Sequence, residues 1–293
     1  MSSFALEDSP RVGGRALPLK GRSGACGSRI SLMGHFGELL QGRLGPEGPL
    51  ALITLPCPRL EARAERAPGA FALEQEGPPV LTPDQAAVFL HLLGLPVEGR
   101  FRLSLEMPPG CGCGASTAAR VALARAAGVS DVERIAAACH ASEGATDPLM
   151  FSAPERRLWA SREGRSLAVL PPAPAFEAVG GYVGPPRRTD PFDLNFPDVS
   201  DLAAAWPEAC GSAGALAELA TESARRSLAL RGPHGDPTAE LARRTGALGW
   251  SMAHTGSARA LLFAPGEAPA QAEDLLREAG FAAPIRFRFG GAS

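Results

Sequence analysis

Alternating apolar and polar residues predict a β-strand near the middle of this chain. From Phe101 to Met107 every second residue is apolar, with polar or charged residues between them, a pattern typical of a strand with one buried face. The segment from Ala118 to Ala127 is rich in alanine and is followed by Gly128, which predicts an α-helix. Between these two elements, positions 110, 112 and 114 are glycines. The pattern therefore predicts a strand, a glycine-rich loop and a helix in succession.

The rest of the chain mixes strands and helices without strict alternation. Thr82-Pro83-Asp84-Gln85 predicts a helix start, and Ser130–Glu133 predicts a second one with a capping box. A turn is predicted at 34–42, strands at 30–33, 50–55, 59–66, 158–170, 176–183 and 285–289, a loop at 187–200, and helices at 212–230, 238–248 and 269–279. Consecutive strands early in the chain favour an α+β fold of two lobes, with a boundary between residues 150 and 175.

The glycine-rich loop has the composition of an anion-binding site. Glycine lets the backbone approach a ligand closely, and the first turn of a helix presents N–H groups with partial positive charge. A strand, such a loop and a helix N-terminus together suit phosphate. A tight strand-to-helix turn without a ligand is an equally good interpretation of this segment alone. The Walker pattern is excluded because no lysine follows the glycines.

Composition narrows the classes of partner. The 293 residues are 45% hydrophobic and carry a net charge of −2, so nothing favours DNA or RNA as a partner. No apolar run reaches the length of a membrane span, and residues 1–24 resemble a flexible tail rather than a secretory signal. The six cysteines lack the spacing of a zinc site or a redox pair. We therefore expect free thiols in a cytoplasmic protein that does not bind a membrane.

Three segments in order resemble a known enzyme family. Gly34–Gly42, the loop at 110–119 and His254–Ser257 resemble the motifs of the GHMP small-molecule kinases, and in particular the L-threonine kinases of cobalamin assembly, the propanediol-utilisation type. That group carries a Gly-Glu-Leu-x-Gln-Gly signature, matched by Gly37–Gly42, and a Thr-Asp pair, matched by Thr146-Asp147. The resemblance covers most of residues 25–265.

The resemblance implies an α+β, two-lobed GHMP kinase fold. An N-terminal ATP-binding lobe, similar to a ribosomal-protein domain, would span residues 25–160, and a ferredoxin-like C-terminal lobe residues 161–293. The implied activity is transfer of phosphate from ATP, with Mg²⁺, to the hydroxyl of L-threonine or a similar small metabolite, in cobalamin side-chain assembly. No nucleophile with a flanking base is apparent, which favours direct transfer without a phosphoenzyme. The sequence is compatible with a homodimer.

The resemblance also assigns residues to roles. The nucleotide residues would be Gly110, Cys111, Gly112, Cys113, Gly114, Ala115, Ser116 and Thr117. Asp147 would be the base or orienter of the substrate hydroxyl, although an ordinary turn aspartate before Pro148 fits the sequence as well. Glu143 lies four residues before Asp147, on one helix face if the turn continues, and with Ser116 it would bind Mg²⁺. A solvated glutamate at a helix end is the competing interpretation.

Substrate contacts are expected from the first and third motifs. The candidates are Glu38, Gln41, Thr255, Gly256 and Ser257, while His254 is expected to be structural. The chain departs from the family at Ala115 and Ala119, where serine and aspartate are usual, and at Arg259 and Ala260. Two other functions stay open: a protein of this fold that binds a ligand or regulates without turnover, and a nucleotide-independent isomerase or lyase that uses Asp147 and Glu143 as an acid–base pair.

Overall fold

One sheet of ten strands runs through residues 28–291, the part of the chain that this computed structural model describes. The strands are β1 (Ser28–Arg43), β2 (Leu50–Ala70), β3 (Ala72–Glu76), β4 (Glu98–Leu105), β5 (Arg157–Ala160), β6 (Arg165–Val169), β7 (Phe176–Tyr182), β8 (Gly249–Met252), β9 (Ala258–Phe263) and β10 (Ala282–Phe289). Their order is β10-β7-β9-β8-β1-β2-β4-β3, and the hairpin β5–β6 joins the edge of β2. All pairs are antiparallel except β3 with β4.

Seven helices are described alongside this sheet: α1 (Pro83–Leu92), α2 (Ala115–Ala126), α3 (Val132–Glu143), α4 (Ser200–Ala209), α5 (Ala213–Arg231), α6 (Thr238–Thr245) and α7 (Ala272–Glu278). Strands and helices without strict alternation confirm the α+β prediction. The lobe division at residue 160 stays a prediction, and the predicted tail at 1–24 lies outside the described residues. No described helix has both the length and the apolarity needed to cross a bilayer.

The turn predicted at 34–42 is wrong, because β1 continues through it as a strand. Its pairing with β2 shifts register between Met33 and Gly34, between His35 and Glu38, and between Glu38 and Leu40. Gly37 has φ +77° at one of these irregularities, a conformation that glycine adopts without strain. The glycines that predict a turn therefore lie in a strand with β-bulges, and these bulges turn His35 and Glu38 toward the interior.

Capping explains where two of the helices begin. The predicted capping box at Thr82 is confirmed, since the Thr82 hydroxyl and the Gln85 side chain each accept the other's backbone N–H. The capping box predicted with Ser130 as its first residue is wrong, because the N-cap lies one residue later. Asp131 is the N-cap of α3, because its carboxylate accepts the N–H groups of Glu133 and Arg134.

Helix α2 is buried along most of its length against β1, β2 and β4. Its alanines let it approach the sheet closely, and Val121 and Leu123 are fully buried there. The helix begins at Ala115 rather than at the predicted Ala118, so Ser116 and Thr117 belong to its first turn. Packing in the core thus fixes the position of the α2 N-terminus, where the glycine-rich loop meets the surface.

The predicted free thiols are confirmed for five of the six cysteines, while Cys26 lies outside the described residues. Burial raises the pKa of the Cys113 thiol, whose Sγ lies 3.6 Å from the Tyr182 hydroxyl, so it is a packing group rather than a nucleophile. The buried free thiols are Cys57, Cys111, Cys113, Cys139 and Cys210.

Candidate active site

A cleft of about 340 Å³ opens at the N-terminus of α2, a volume within the range of small-molecule sites. Most of the predicted nucleotide, catalytic and metal residues line it. They are Gly110, Gly112, Cys113, Gly114, Ala115, Ser116, Thr117, Glu143 and Asp147, joined by Glu38 and Thr255 of the predicted substrate residues. Cys111, Gln41, Gly256 and Ser257 do not line this cleft.

The loop before α2 has backbone conformations that suit glycine alone. Gly110, Gly112 and Gly114 have φ values of +77°, +78° and +71°, in the left-handed region that other residues rarely adopt. Gly114 is the N-cap of α2, and its carbonyl accepts the first helical bond, from Ala118 N–H at 2.8 Å. The N–H groups of residues 115–117 therefore precede the first helical bond, at the wall of the cleft. The helix has no acidic residue in its first turn, which leaves its positive end available to an anion.

The three motifs are connected through the carbonyls of this loop. Two backbone bonds join them: Gly37 N–H to Gly112 O at 3.0 Å, and Ala258 N–H, directly after the third motif, to Cys111 O at 3.0 Å. A further bond, from Arg187 N–H to Gly110 O at 2.7 Å, holds the loop to the segment 187–200. These bonds hold the loop against the neighbouring segments, and the Cys111 N–H donates within the loop, to the Pro108 carbonyl at 3.3 Å. Gly256 packs against the same loop, since a β-carbon there would lie 2.1 Å from the Cys111 carbonyl carbon. The loop is therefore held rigidly before any ligand arrives.

A buried histidine lies between two carboxylates at the floor of the cleft. His35 Nε2 is 3.4 Å from Asp147 Oδ2, and His35 Nδ1 is 3.8 Å from Glu38 Oε1 and 3.1 Å from the Gly37 carbonyl. His35 and Glu38 are almost fully buried, whereas 22% of the Asp147 side chain is exposed. The other oxygen of Glu38 accepts the His254 N–H. Asp147 is thus the member of this cluster that a ligand in the cleft can reach.

The cluster shifts the pKa values of its buried members. Burial opposes the charge of His35, but Asp147, Glu38 and the Gly37 carbonyl outweigh it and raise the pKa of His35 to about 9. Burial, with Asp147 nearby, raises the pKa of Glu38 to about 8, although His35 and the His254 N–H oppose that shift. His35 therefore carries the positive charge that balances Asp147 near neutral pH.

A second polar cluster lies under the first turn of α2. Glu143 accepts hydrogen bonds from the Ser116 hydroxyl at 2.5 Å and the Thr117 hydroxyl at 2.7 Å. Arg120 Nη1 lies 3.0 Å from the same carboxylate. Burial raises the pKa of Glu143, while Arg120 and the two hydroxyls oppose the shift. The structure brings the predicted metal ligands Ser116 and Glu143 together, and it places a guanidinium on the same oxygens.

No family model and no curated protein matches this chain. Solved structures do match it. Mevalonate kinase from L. major, solved with R-mevalonate, superposes with a TM-score of 0.63 over 90% of this chain and 96% of that one, at 16% identity. A phosphotransferase related to the CoA biosynthesis pathway gives 0.60 over 90% and 98%, at 17% identity. Homoserine kinase from Cytophaga hutchinsonii gives 0.53 over 92% and 96%, at 17% identity. The chain has the GHMP kinase fold.

Within this GHMP kinase fold the predicted substrate residues separate into two groups. Glu38 and Thr255 line the cleft, and the Thr255 hydroxyl lies 2.8 Å from that of Thr189. Gln41 lies outside the lining of the cleft, and its amide donates to the carbonyls of Met252, in β8, and Ala253. Gly256 and Ser257 line a neighbouring cavity behind Thr255, where the buried Ser257 hydroxyl has no described hydrogen-bond partner.

Besides Arg120, three further arginines that the sequence does not single out line the cleft of this GHMP kinase fold. Arg162, Arg187 and Arg188 line the cleft together with Asp147 and Thr255. Arg162 is half-buried and donates to the carbonyls of Asp190 and Asp193, whereas Arg187 and Arg188 are exposed. The adjacent pair at 187–188 was visible in the sequence, but arginine is so common in this chain that the pair carried no signal. These groups add positive charge to the lining of the cleft.

His254, which the sequence predicts to be structural, is buried in the lining of the cleft. Its ring stacks on Phe196 with centroids 4.0 Å apart, and the Arg231 guanidinium covers Phe196 at 3.8 Å. Burial, together with Arg162 and Arg231, lowers the pKa of His254 well below 6.5. The ring therefore stays neutral at physiological pH and serves as a wall of the cleft.

The charge of His35 predicts that the protein loses stability as the pH rises. His35 has a folded pKa above its ordinary 6.5, so its contribution is complete below pH 6.5 and is lost as the pH rises through about 9. Glu38 also lowers the stability as the pH rises from 4.5 to about 8, because the folded state binds the Glu38 proton more tightly than the unfolded state does. We expect the free energy of unfolding to fall by a few kcal/mol across pH 6.5 to 9, with both residues contributing.

Urea unfolding at pH 6.5 and pH 9 measures this fall. His35→Gln should remove most of it. His91→Gln, at an exposed position of α1, is the matched control and should keep the wild-type dependence. Equal stability of the wild type at both pH values would show that His35 is uncharged in the folded state.

Proposed function

We propose that this chain is an ATP-dependent kinase that phosphorylates the hydroxyl of L-threonine or a similar small hydroxylated metabolite, as in cobalamin side-chain assembly. One observation carries the proposal: the glycine-rich N-terminus of α2 and the Asp147 carboxylate line the same cleft. The first suits the phosphates of a nucleotide, and the second suits the proton of an alcohol. A phosphoryl donor and its acceptor can therefore meet between them.

The residues of the cleft then take the following roles. The N–H groups of Gly112, Gly114 and residues 115–117 bind the nucleotide phosphates and stabilise the charge that develops during transfer. The acceptor hydroxyl oxygen attacks the γ-phosphorus, the bond to the β-phosphate oxygen breaks, and ADP leaves. Asp147 accepts the hydroxyl proton. His35 holds Asp147 in place through its 3.4 Å contact, and no covalent phosphoenzyme forms.

The arginines support an acceptor that carries an acidic group. Arg162, Arg187 and Arg188 offer guanidinium groups in the cleft that Asp147 and Thr255 also line, and guanidinium binds a carboxylate through two parallel hydrogen bonds. A hydroxy acid or hydroxy amino acid fits this charge better than a neutral sugar alcohol does. L-threonine has both the hydroxyl and the carboxylate that the proposal requires.

The structural neighbours support the reaction class. Their names describe kinases of mevalonate and homoserine and a phosphotransferase of CoA biosynthesis, all enzymes whose names imply phosphoryl transfer. At 16–17% identity they share the fold with this chain, and the transfer of their activity to it is our proposal. The proposed nucleotide lobe spans residues 25–160 and the proposed acceptor lobe residues 161–293.

A coupled assay of ADP release tests the proposed function. L-threonine, L-serine, L-homoserine and a shikimate-like hydroxy acid are compared with L-threonine amide and a neutral polyol. We expect turnover with at least one acid and a loss of at least about tenfold in kcat/KM when its carboxylate is converted to an amide. Nucleotide binding without turnover of any acceptor would favour the ligand-binding alternative. Activity that needs no nucleotide would favour the isomerase or lyase alternative.

A further inference from the structure

Arg120 lies where the sequence predicts a magnesium ion, between Ser116 and Glu143. Its Nη1 is 2.6 Å from Ser116 Oγ and 3.0 Å from Glu143 Oε2. A magnesium ion on the same oxygens would lie about 2.1 Å from each of them. The ion would then be less than about 5 Å from the guanidinium nitrogen, by the sum of these bond lengths. Two cations this close in a buried site repel each other strongly.

The guanidinium of Arg120 is held firmly. Only 4% of the side chain is exposed. Its Nε donates to the Ser142 hydroxyl at 2.8 Å, and its Nη1 donates also to the Ser116 carbonyl at 3.1 Å. Arginine keeps its charge at every accessible pH, so moving it aside would leave a buried carboxylate and a buried guanidinium unpaired. Arg120 is therefore part of the built site rather than a mobile side chain.

Glu143 has both carboxylate oxygens in use. Oε1 accepts the Thr117 hydroxyl, and Oε2 accepts the Ser116 hydroxyl and faces Arg120. The Ser116 oxygen donates to Glu143 and accepts from Arg120, which leaves it poorly placed to bind a metal. Oxygen ligands of the kind that Mg²⁺ prefers are present, but their arrangement does not fit the ion.

We propose that Arg120 takes the place of a protein-bound metal ion beneath the phosphate loop, so that Ser116 and Glu143 do not coordinate magnesium. Any magnesium that accompanies the nucleotide has its ligands outside this pair. The inference rests on the proposed function for the identity of the nucleotide, but the claim about Ser116 and Glu143 concerns the protein alone. It replaces the metal-ligand role that the family resemblance implies for these two residues.

Manganese binding to the protein without nucleotide tests this claim directly, because Mn²⁺ takes the same oxygen ligands and its free form is measured by electron paramagnetic resonance. The wild type is expected to bind no Mn²⁺ at millimolar concentration. Arg120→Met frees Ser116 and Glu143 and should create one site, which Arg120→Met/Glu143→Gln should lose. Arg125→Met is the matched control on the same helix, since Arg125 donates to the Met150 carbonyl, and it should bind none.

Calorimetry of ADP binding to the wild type and to Glu143→Gln gives the second readout. We expect the effect of Mg²⁺, measured as the ratio of the dissociation constants with EDTA and with Mg²⁺, to change by less than about tenfold in Glu143→Gln. A gain with Mg²⁺ that Glu143→Gln removes, a Mn²⁺ site in the wild type that Glu143→Gln removes, or a folded Arg120→Met that binds no Mn²⁺ would each overturn the inference. If Arg120→Met does not fold, the two comparisons of the wild type with Glu143→Gln still decide. Failure of the proposed function is separate, because it appears as absence of turnover in the ADP-release assay.

Discussion

Asp147→Asn is expected to lower kcat by at least about a hundredfold, the usual contribution of a positioned general base. Asparagine keeps the shape of the side chain and cannot accept the proton of the acceptor hydroxyl. The Asp147 N–H bond to the Thr117 hydroxyl, 3.3 Å long, involves the backbone and should survive. Steady-state ADP release with the best acceptor measures kcat, and calorimetry checks that affinity for ADP stays within about twofold.

Two further variants separate proton transfer from a general effect of charge. Asp84→Asn removes an exposed carboxylate in the first turn of α1 and should leave kcat unchanged. His35→Gln should lower kcat less than Asp147→Asn does, because His35 holds Asp147 but does not itself accept the proton. Full turnover by Asp147→Asn would remove Asp147 from the proton-transfer role and leave it as a turn residue before Pro148.

Gly256→Ala is expected to lower ATP affinity by more than about tenfold and to destabilise the fold by about 1–3 kcal/mol, the usual range for overpacking. A β-carbon at Gly256 would lie 2.1 Å from the Cys111 carbonyl carbon and 2.2 Å from the Gly112 nitrogen. Both atoms belong to the backbone, so the clash is relieved only if the glycine-rich loop or the third motif moves. Calorimetry of ATP binding and urea unfolding measure the two effects.

The matched control for this variant is Gly214→Ala. Gly214 lies in the first turn of α5, and its β-carbon would meet no heavy atom closer than 3.8 Å. We expect Gly214→Ala to leave the affinity for ATP unchanged. Its free energy of unfolding should be equal to or slightly higher than that of the wild type, since alanine forms helices better than glycine does. If Gly256→Ala bound ATP as the wild type does, the contact between the third motif and the loop would have no part in nucleotide binding.

Local patterns predicted the parts of the site that are local in sequence. The strand, glycine-rich loop and helix at 101–127 depend on neighbouring residues, so alternation and glycine spacing sufficed to find them. The alanine-rich pattern starts at Ala118, three residues after the true start of α2 at Ala115. Ser116 and Thr117 do not have the apolar character that marks most of the helix. Helix α4 was missed because it follows a loop rich in aspartate and proline and contains Pro207, which argues against a helix.

Contacts between distant residues could not be predicted from one sequence. His35 reaches Asp147 because the bulges of β1 turn it inward. The glycines of β1 predict a turn from the sequence, and only the pairing with β2 reveals the bulges. Arg120 was overlooked although it lies four residues after Ser116, a spacing that places both on one helix face. Its ion pair with Glu143 depends on the packing of α2 against α3.

Hydrogen exchange of the backbone amides, with and without a non-hydrolysable ATP analogue, tests the central claim most directly. Amides whose N–H groups bind phosphate oxygens exchange more slowly when the ligand is present. We predict protection at positions 110–117, the loop and first turn of α2, with little change in α5–α7. A bound analogue that protects other segments and leaves 110–117 unchanged would contradict the account.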